Sequence, residues 1–221
     1  MRLGYDGVEL SGDPDGYTAD AVHAVEELDF EELTRGVEEV PAGSQGLLFV
    51  PHLDGRILPS APSMRGAWIG LTRHHTRRHL VRAMLESVAY EYAGYLRVLL
   101  DLHPELRPNE TRVVGGGARS GAWNAIKASV LDVPYVRLDR TELGCWGAAL
   151  VAGHAVGIVD DLAETAAVAS TIRQRYEPDP EDHAVYERMT EQYRHLLTVL
   201  ALPFKALTHE HSPEREEVEC V

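Results

Sequence analysis

A run of glycines between a predicted strand and a predicted helix is the feature of this sequence that most suggests chemistry. The run is Val113-Val-Gly-Gly-Gly-Ala-Arg-Ser120, and Gly121 follows it. Glycine has no Cβ, so its backbone N–H group can approach an anion closely, and that anion also meets the positive end of the following helix. The run predicts a site for phosphate or for the adenosine of a nucleotide; a tight turn without a ligand is the alternative.

Other nucleotide-binding and catalytic motifs are absent from the sequence. There is no G-x-x-x-x-G-K-[ST] motif, which excludes a P-loop protein. No G-x-G-x-x-G with an acidic residue about 20 positions later opens a βαβ unit, which argues against a dinucleotide-binding fold. The H-R-D and D-F-G triplets of protein kinases and the G-x-S-x-G elbow of α/β-hydrolases are also missing.

A few other side chains have spacings that allow metal binding. His75 and His79 share one face of a predicted helix beside His74, but no third ligand accompanies them, so a hydrogen-bonding role is favoured. Three aspartates in turn-rich segments could bind Mg²⁺, although turn chemistry alone explains them: Asp13, Asp15 and Asp54.

Glu86 lies among apolar residues in the middle of a predicted long helix. It is either a surface carboxylate or a buried one paired with an arginine such as Arg82, and we expect a structural role. The tryptophans Trp68, Trp123 and Trp146 are expected in the core, because large aromatic side chains dominate packing. Trp123 could alternatively flank a nucleotide base.

The composition indicates an acidic globular protein. It has 35 acidic and 21 basic residues and a formal charge of −14, which argues against a nucleic-acid partner. Only two cysteines occur, Cys145 and Cys220, which suits a reducing compartment and predicts a cytoplasmic location. The first 20 residues do not show the basic and then apolar pattern of a secretory signal. The most apolar stretch, 146–159, is too short to span a bilayer, so no membrane partner is expected.

The predicted elements alternate between helices and strands. Asp29 to Glu39 is predicted helical, 46–50 is a short strand, and 54–66 is a loop. A helix of about 30 residues is predicted from Thr72 to Leu102. Its apolar face is expected to contain the residues spaced three and four apart: Leu80, Met84, Val88, Tyr92, Tyr95 and Leu99.

Two strands and four helices are predicted in the second half of the chain. The strands are 111–114 and 134–138, and Ser120 is expected to cap a helix that ends at Leu131. Further helices are predicted at 144–155, 161–169 and 183–202, the last with the core stripe Tyr186, Met189, Tyr193, Leu196 and Leu200. This order predicts an α/β layered domain at 29–202, between an acidic lead-in at 1–28 and a charged tail at 203–221.

Four blocks of sequence, in the family's order, resemble the C-terminal half of the FGGY carbohydrate kinases. They are Val40–Pro51, Arg65–Thr72 followed by His79–Tyr90, Gly115–Ser120 with Trp123, and Glu142 with Gly147–Ala149. The resemblance extends over about 29–200. It implies the second of two actin-like (ribonuclease H-like) α/β domains, with ATP and the sugar bound in the cleft between them.

The resemblance also implies the site. The nucleotide-binding residues would be Gly115, Gly116, Gly117, Ala118, Ser120 and Gly121, with ATP and Mg²⁺ as cofactors. Glu142 and Gly147 would belong to the start of a helix that packs behind the glycine run. The catalytic aspartate and the D-x-G-[ST] phosphate loop of these kinases belong to the other half, so no catalytic residue and no metal ligand is expected in this sequence.

This sequence departs from the family pattern at three places, one of which is Gly121, where the family often has a larger residue. It has Gly55-Arg-Ile-Leu-Pro59 where Gly-Glu-Arg-Thr-Pro is common, and Ala128-Ser129 where Ala-Asp is usual. The resemblance implies the ATP-binding half of a kinase that phosphorylates a ketopentose such as xylulose or ribulose, or a polyol. An N-terminal half, on a separate chain if necessary, or a homo-oligomer would complete it. Two alternatives are a truncated, inactive fragment and a nucleotide-sensing protein that acts through protein contacts. On this interpretation Gly117→Asp should abolish nucleotide binding and leave the fold intact.

Overall fold

The computed structural model describes residues 30–139, 143–168 and 171–209. The acidic lead-in at 1–28, Glu142 and residues 210–221 lie outside these ranges. The helices and strands are, in chain order, α1 (Phe30–Thr34), β1 (Leu48–Val50), β2 (Ala67–Ile69), α2 (Arg77–Leu102), β3 (Thr111–Val113), α3 (Gly121–Leu131), β4 (Tyr135–Leu138), α4 (Leu143–Ala155), α5 (Leu162–Val168), β5 (Ile172–Tyr176) and α6 (Pro180–His209). Short 3-10 helices occur at Val37–Glu39, Ser44–Gly46 and Gly116–Arg119.

Two small sheets organise the strands. β3 and β4 are parallel neighbours, with Thr111 opposite Tyr135, and α3 connects them. β5 pairs antiparallel with the other side of β4, where Tyr176 lies opposite Tyr135. β1 and β2 form a separate antiparallel pair. The alternation of strands and helices confirms the predicted α/β class.

The hydrophobic core lies where α2 packs against α3 and α6. The predicted stripe on α6 is confirmed, because Tyr186 and Tyr193 are fully buried and Met189, Leu196 and Leu200 pack against the same cluster. The buried members of the cluster are Val37, Leu48, Val50, Met64, Val81, Leu85, Ala89, Tyr90, Ile126, Val130, Tyr186, Tyr193, Leu197 and Phe204. This core holds the start of α3, and therefore the glycine run, on a rigid base.

The prediction of which face of α2 is buried is wrong. Met84, Tyr92, Tyr95 and Leu99 are exposed. The buried face is instead turned by about one residue, with Val81, Leu85 and Ala89 beside Arg82, Glu86 and Tyr90. Both faces carry apolar residues at helical spacing, and the charged pair is turned inward because partners from distant segments satisfy it.

Helix boundaries differ from the predictions at glycine and proline. The predicted helix at 29–39 is divided, because Gly36 adopts a left-handed conformation with φ of 77° between α1 and the following 3-10 helix. α6 begins at Pro180, three residues before the predicted start, and Asp179 accepts hydrogen bonds from the backbone N–H groups of Glu181 and Asp182. It continues past 203, the expected start of the tail, to His209.

The sequence analysis missed two strands, β2 and β5. β2 has only three residues, and β5 carries Arg173, Gln174 and Arg175 on an exposed edge of its sheet. Neither strand has the apolar alternation that identifies a half-buried strand. Among the described residues, no helix is long and apolar enough to cross a membrane.

Candidate functional site

The glycine run forms a compact loop between β3 and α3. Gly115 adopts φ of 82° and ψ of −173°, a conformation that residues with a Cβ rarely reach. Gly116–Arg119 then form a single 3-10 turn, in which the Ala118 backbone N–H donates to the Gly115 carbonyl. Ser120 ends the turn and caps α3, because its Oγ accepts a hydrogen bond from the Trp123 backbone N–H at 3.2 Å, as predicted.

The N–H groups of Gly116 and Gly117 have no hydrogen-bond acceptor within the described part of the chain. Gly115 and Gly116 are exposed and Gly117 is half-buried. A Cβ placed on Gly116 would meet no atom within 4 Å, so the space above this residue is open. Two free amide donors beside the N-terminus of an 11-residue helix are a suitable arrangement for binding an anion.

The Trp123 indole supports this loop from the first turn of α3. Its Nε1 donates to the Leu85 carbonyl of α2 at 3.0 Å, which ties the ring to the core. A Cβ on Gly117 would lie 2.6 Å from Cζ3 of the ring. The expectation that Gly117→Asp leaves the fold intact therefore needs correction, because the indole would have to move. Gly116 is the position where a substitution meets open space.

An open groove of about 750 Å³ lies in front of the loop. Its opposite wall is α1 and the segment after it, and the Phe30 ring lies 6.0 Å from the Trp123 ring, centroid to centroid. Arg35 and Arg119 supply positive charge, and Glu31 and Glu38 supply negative charge. The lining residues are Phe30, Glu31, Thr34, Arg35, Glu38, Gly116, Gly117, Arg119, Ser120, Gly121, Ala122 and Trp123.

Four of the six residues expected to bind a nucleotide line this groove: Gly116, Gly117, Ser120 and Gly121. Ala118 is buried beneath the turn, and its carbonyl accepts a hydrogen bond from the side chain of buried Asn124 at 2.9 Å. Gly115 is exposed at the start of the turn and provides its backbone conformation. The structure thus brings the glycine run together as one surface.

The α1 wall was missed by the sequence analysis. Phe30, Thr34 and Arg35 lie 80 to 85 positions before Gly115, and no motif connects the two segments. Arg119 lies inside the run and could have been inferred from its position in a turn before a helix. α4, expected behind the glycine run, has α5 as its main packing partner, and Leu150 is the only residue that it buries among those described.

The histidines act as local hydrogen-bonding groups. His75 Nδ1 accepts from the Thr72 backbone N–H at 2.9 Å, and His79 Nδ1 accepts from the Thr76 backbone N–H at 3.3 Å in the cap of α2. Burial and the neighbouring His75 lower the pKa of His79. Within 30–139, 143–168 and 171–209, no three histidine, cysteine, aspartate or glutamate side chains are grouped closely enough to hold a metal ion.

Comparison with known proteins identifies the family to which this chain belongs. The sequence model of one protein family, described as the FGGY family of carbohydrate kinases, C-terminal domain, matches residues 18–156. The chain belongs to this family. Its sequence is 30% identical to xylulose kinase of Bacillus subtilis over 172 residues, and 32% identical to gluconokinase of the same bacterium over 173 residues. These matches cover 76% and 77% of this chain, but only 34% and 32% of the two relatives.

A solved FGGY kinase has the same fold. The crystal structure of ligand-bound xylulose kinase from Lactobacillus acidophilus superposes with a TM-score of 0.70 at 25% identity. The match covers 80% of this chain and 36% of that protein. This chain therefore has the actin-like fold of the C-terminal FGGY domain, and it spans about a third of the length of the curated relatives that it matches.

Proposed function

We propose that this chain is the nucleotide-binding half of a carbohydrate kinase and that its glycine loop binds ATP and ADP. The observation that carries the proposal is the pair of unpartnered amides at Gly116 and Gly117, two residues that line an open groove at the N-terminus of α3. Phosphoryl transfer depends mainly on positioning and on electrostatic stabilisation of the phosphates, so a preorganised amide cradle is a useful contribution from one domain.

The groove offers a place for each part of a nucleotide. The free amides and the Arg119 guanidinium suit phosphate oxygens, and the Trp123 and Phe30 rings suit the base. The cofactor is ATP with Mg²⁺. Mg²⁺ in kinases is held mainly by phosphate oxygens and one or two carboxylates. The part of the reaction that we propose for this chain is to hold the nucleotide.

The rest of the reaction belongs to the other half of such a kinase. That half would carry the base that deprotonates the sugar hydroxyl and most of the sugar pocket. The acceptor that we propose is a ketopentose or a related polyol, with xylulose and gluconate as the first compounds to test because relatives are named for them. The proposed compartment is the cytoplasm, which fits the free, exposed thiol of Cys145.

An apolar surface beside loop 51–66 is available for the other half. Ile57 is 84% exposed, and Leu53 and Leu58 are exposed as well. The Tyr95 hydroxyl of α2 donates to the Leu58 carbonyl at 3.2 Å, so the loop continues the exposed apolar face of α2. Exposed apolar patches of this kind are typical of interaction sites.

Glu91 anchors loop 51–66 from inside. Its buried carboxylate accepts from Arg56 Nη2 at 2.9 Å and from the Tyr193 hydroxyl at 2.6 Å, and His52 Nε2 lies 3.2 Å away. Burial lowers the pKa of His52, an effect that Glu91 partly offsets. The loop thereby presents its apolar tip from a fixed base.

The proposal is tested by titrating the full chain with ADP in a calorimeter and comparing Gly116→Asp with a matched control. Gly94→Asp is that control, because Gly94 lies in α2 outside the groove and its added Cβ would also meet open space. We expect Gly116→Asp to weaken ADP binding by at least about tenfold, because a carboxylate within a few ångströms of a phosphate repels it strongly. Gly94→Asp should bind like the wild type. Equal ADP affinity of folded Gly116→Asp and wild type would refute the proposal.

A further inference from the structure

Lys127 is a buried cation next to the proposed nucleotide site. It lies on α3, four residues after Trp123, and the residue is only 5% exposed. Its ammonium group takes part in none of the ion pairs formed within the described part of the chain. A buried charge normally requires a partner, so the role of this side chain needs a physical explanation.

Two aromatic rings take the place of a counter-ion. Nζ of Lys127 lies 4.2 Å from the centroid of the Trp123 ring and 5.4 Å from that of Tyr135 on β4. Both distances are within the range of cation–π attraction, which is stronger in desolvated surroundings. The ammonium therefore attracts the same indole that contacts Gly117.

The indole is held from several directions. Its Nε1 is bonded to the Leu85 carbonyl, its edge is close to Gly117, and Lys127 lies over its face. The first of these contacts fixes only one atom of the ring. The contact with Lys127 restrains the orientation of the ring plane, and that orientation determines how the ring supports the glycine loop and lines the groove.

We propose that Lys127 is a positioning residue for the nucleotide, which acts by holding the Trp123 indole against the glycine loop. The proposal rests on the function proposed above. Lys127 itself does not line the groove. Its effect on nucleotide binding is exerted through the Trp123 indole. Removal of the lysine charge should make this ring more mobile at the groove and leave the hydrophobic core packed.

The charge state of Lys127 makes this effect observable near neutral pH. Burial lowers the pKa of Lys127 to about 8. Burial raises the pKa of Tyr135 to about 12, and Tyr92 of α2 contributes to that rise, so the facing phenol stays neutral between pH 7 and 9. The cation–π contact is therefore expected below pH 8 and lost above it.

The test compares the wild type with Lys127→Met, which removes the charge at similar length, and with Lys127→Arg, which retains it. Each chain is labelled with 5-fluorotryptophan over all 221 residues, and the Trp123 fluorine resonance is assigned from a Trp123→Phe variant. In the wild type this resonance should titrate with a midpoint near the lysine pKa of about 8. It should not titrate in either variant, because methionine is neutral and arginine remains charged.

Calorimetry with ADP at pH 7 supplies the functional readout. We expect Lys127→Met to weaken ADP binding by about fivefold to thirtyfold, which is the range of a desolvated cation–π contact, and Lys127→Arg to restore most of the affinity. Thermal denaturation should show that Lys127→Met is at least as stable as the wild type, because a buried charge is removed. A purely structural role for Lys127 would instead lower the stability.

The possible failures are distinguishable. Wild-type affinity for ADP in Lys127→Met, or a Trp123 resonance that does not titrate in the wild type, overturns the role of Lys127. If the wild type does not bind ADP, the proposed function and the nucleotide role of Lys127 both fail, while the fluorine titration still decides separately whether the lysine positions the indole.

Discussion

The buried carboxylate of Glu86 supports a quantitative prediction about the stability of this domain. Glu86 is fully buried, and its oxygens accept four hydrogen bonds: from Arg82 Nε at 2.8 Å, Ser44 Oγ at 2.8 Å, the Gly43 backbone N–H at 3.0 Å and the Tyr186 hydroxyl at 3.0 Å. Burial raises the pKa of Glu86, and the charge of Arg82 and the hydrogen bonds from the Ser44, Arg82 and Tyr186 side chains oppose the rise. The cluster joins α2, α6 and the loop before β1.

Glu86→Gln removes the negative charge and keeps the size of the side chain. Arg82 then remains buried without a counter-ion, which costs about 3–5 kcal/mol when one partner of a buried pair is lost. For a domain of about 150–250 residues each kcal/mol lowers Tm by about 2–4 °C, so we expect a decrease of about 10 °C. Urea denaturation, monitored by circular dichroism, measures the change in the free energy of unfolding, provided that the m-value is the same in the variant and the wild type.

Glu39→Gln is the matched control for this experiment. Glu39 forms an ion pair with Arg78, but its side chain is 62% exposed, and exposed pairs contribute about 0–1 kcal/mol. The double variant Arg82→Met/Glu86→Leu should be less destabilised than Glu86→Gln, because neither charge is left unpaired. A loss of less than about 1 kcal/mol in Glu86→Gln, similar to that of the control, would refute the reasoning.

Two further predictions concern the cap of α3 and loop 51–66. Ser120→Ala should lower the free energy of unfolding by about 1 kcal/mol, because the helix cap is lost. Ser60→Ala, which changes an exposed loop serine, is the control in urea denaturation. Equal free energies of unfolding for the two variants would contradict this prediction. Glu91→Gln should increase hydrogen–deuterium exchange in loop 51–66 by about tenfold, since a charged hydrogen bond contributes about 1.5–3 kcal/mol. Glu191→Gln, which breaks an exposed pair, should leave the exchange of that loop unchanged, and equal protection in the two variants would show that Glu91 does not anchor it.

The elements around the glycine loop were predictable because their signals are local. β3, the Ser120 cap and α3 lie within 21 consecutive residues, and each depends on residue types at short spacing. The inward face of α2 was not predictable in this way. Two faces of that helix carry apolar side chains, and the choice between them depends on Tyr186, which is 100 residues from Glu86 in the sequence.

The candidate site was predictable only in part for the same reason. Its glycine floor is contiguous in sequence, whereas its opposite wall, from Phe30 to Glu38, approaches through packing of α1 on α2. The importance of Lys127 also depends on a distant strand, since Tyr135 completes the aromatic surroundings of its ammonium group. Tertiary contacts of this kind leave no periodic pattern in the sequence.

The most direct test of nucleotide binding at the glycine loop is a titration of ¹⁵N-labelled full chain with ADP, followed residue by residue by NMR. The backbone amides of Gly116 and Gly117 and the indole N–H of Trp123 should show the largest shifts and should saturate together at the affinity measured by calorimetry. If ADP at millimolar concentration leaves these three resonances unchanged, or shifts a different surface instead, the glycine loop is not the nucleotide site of this protein.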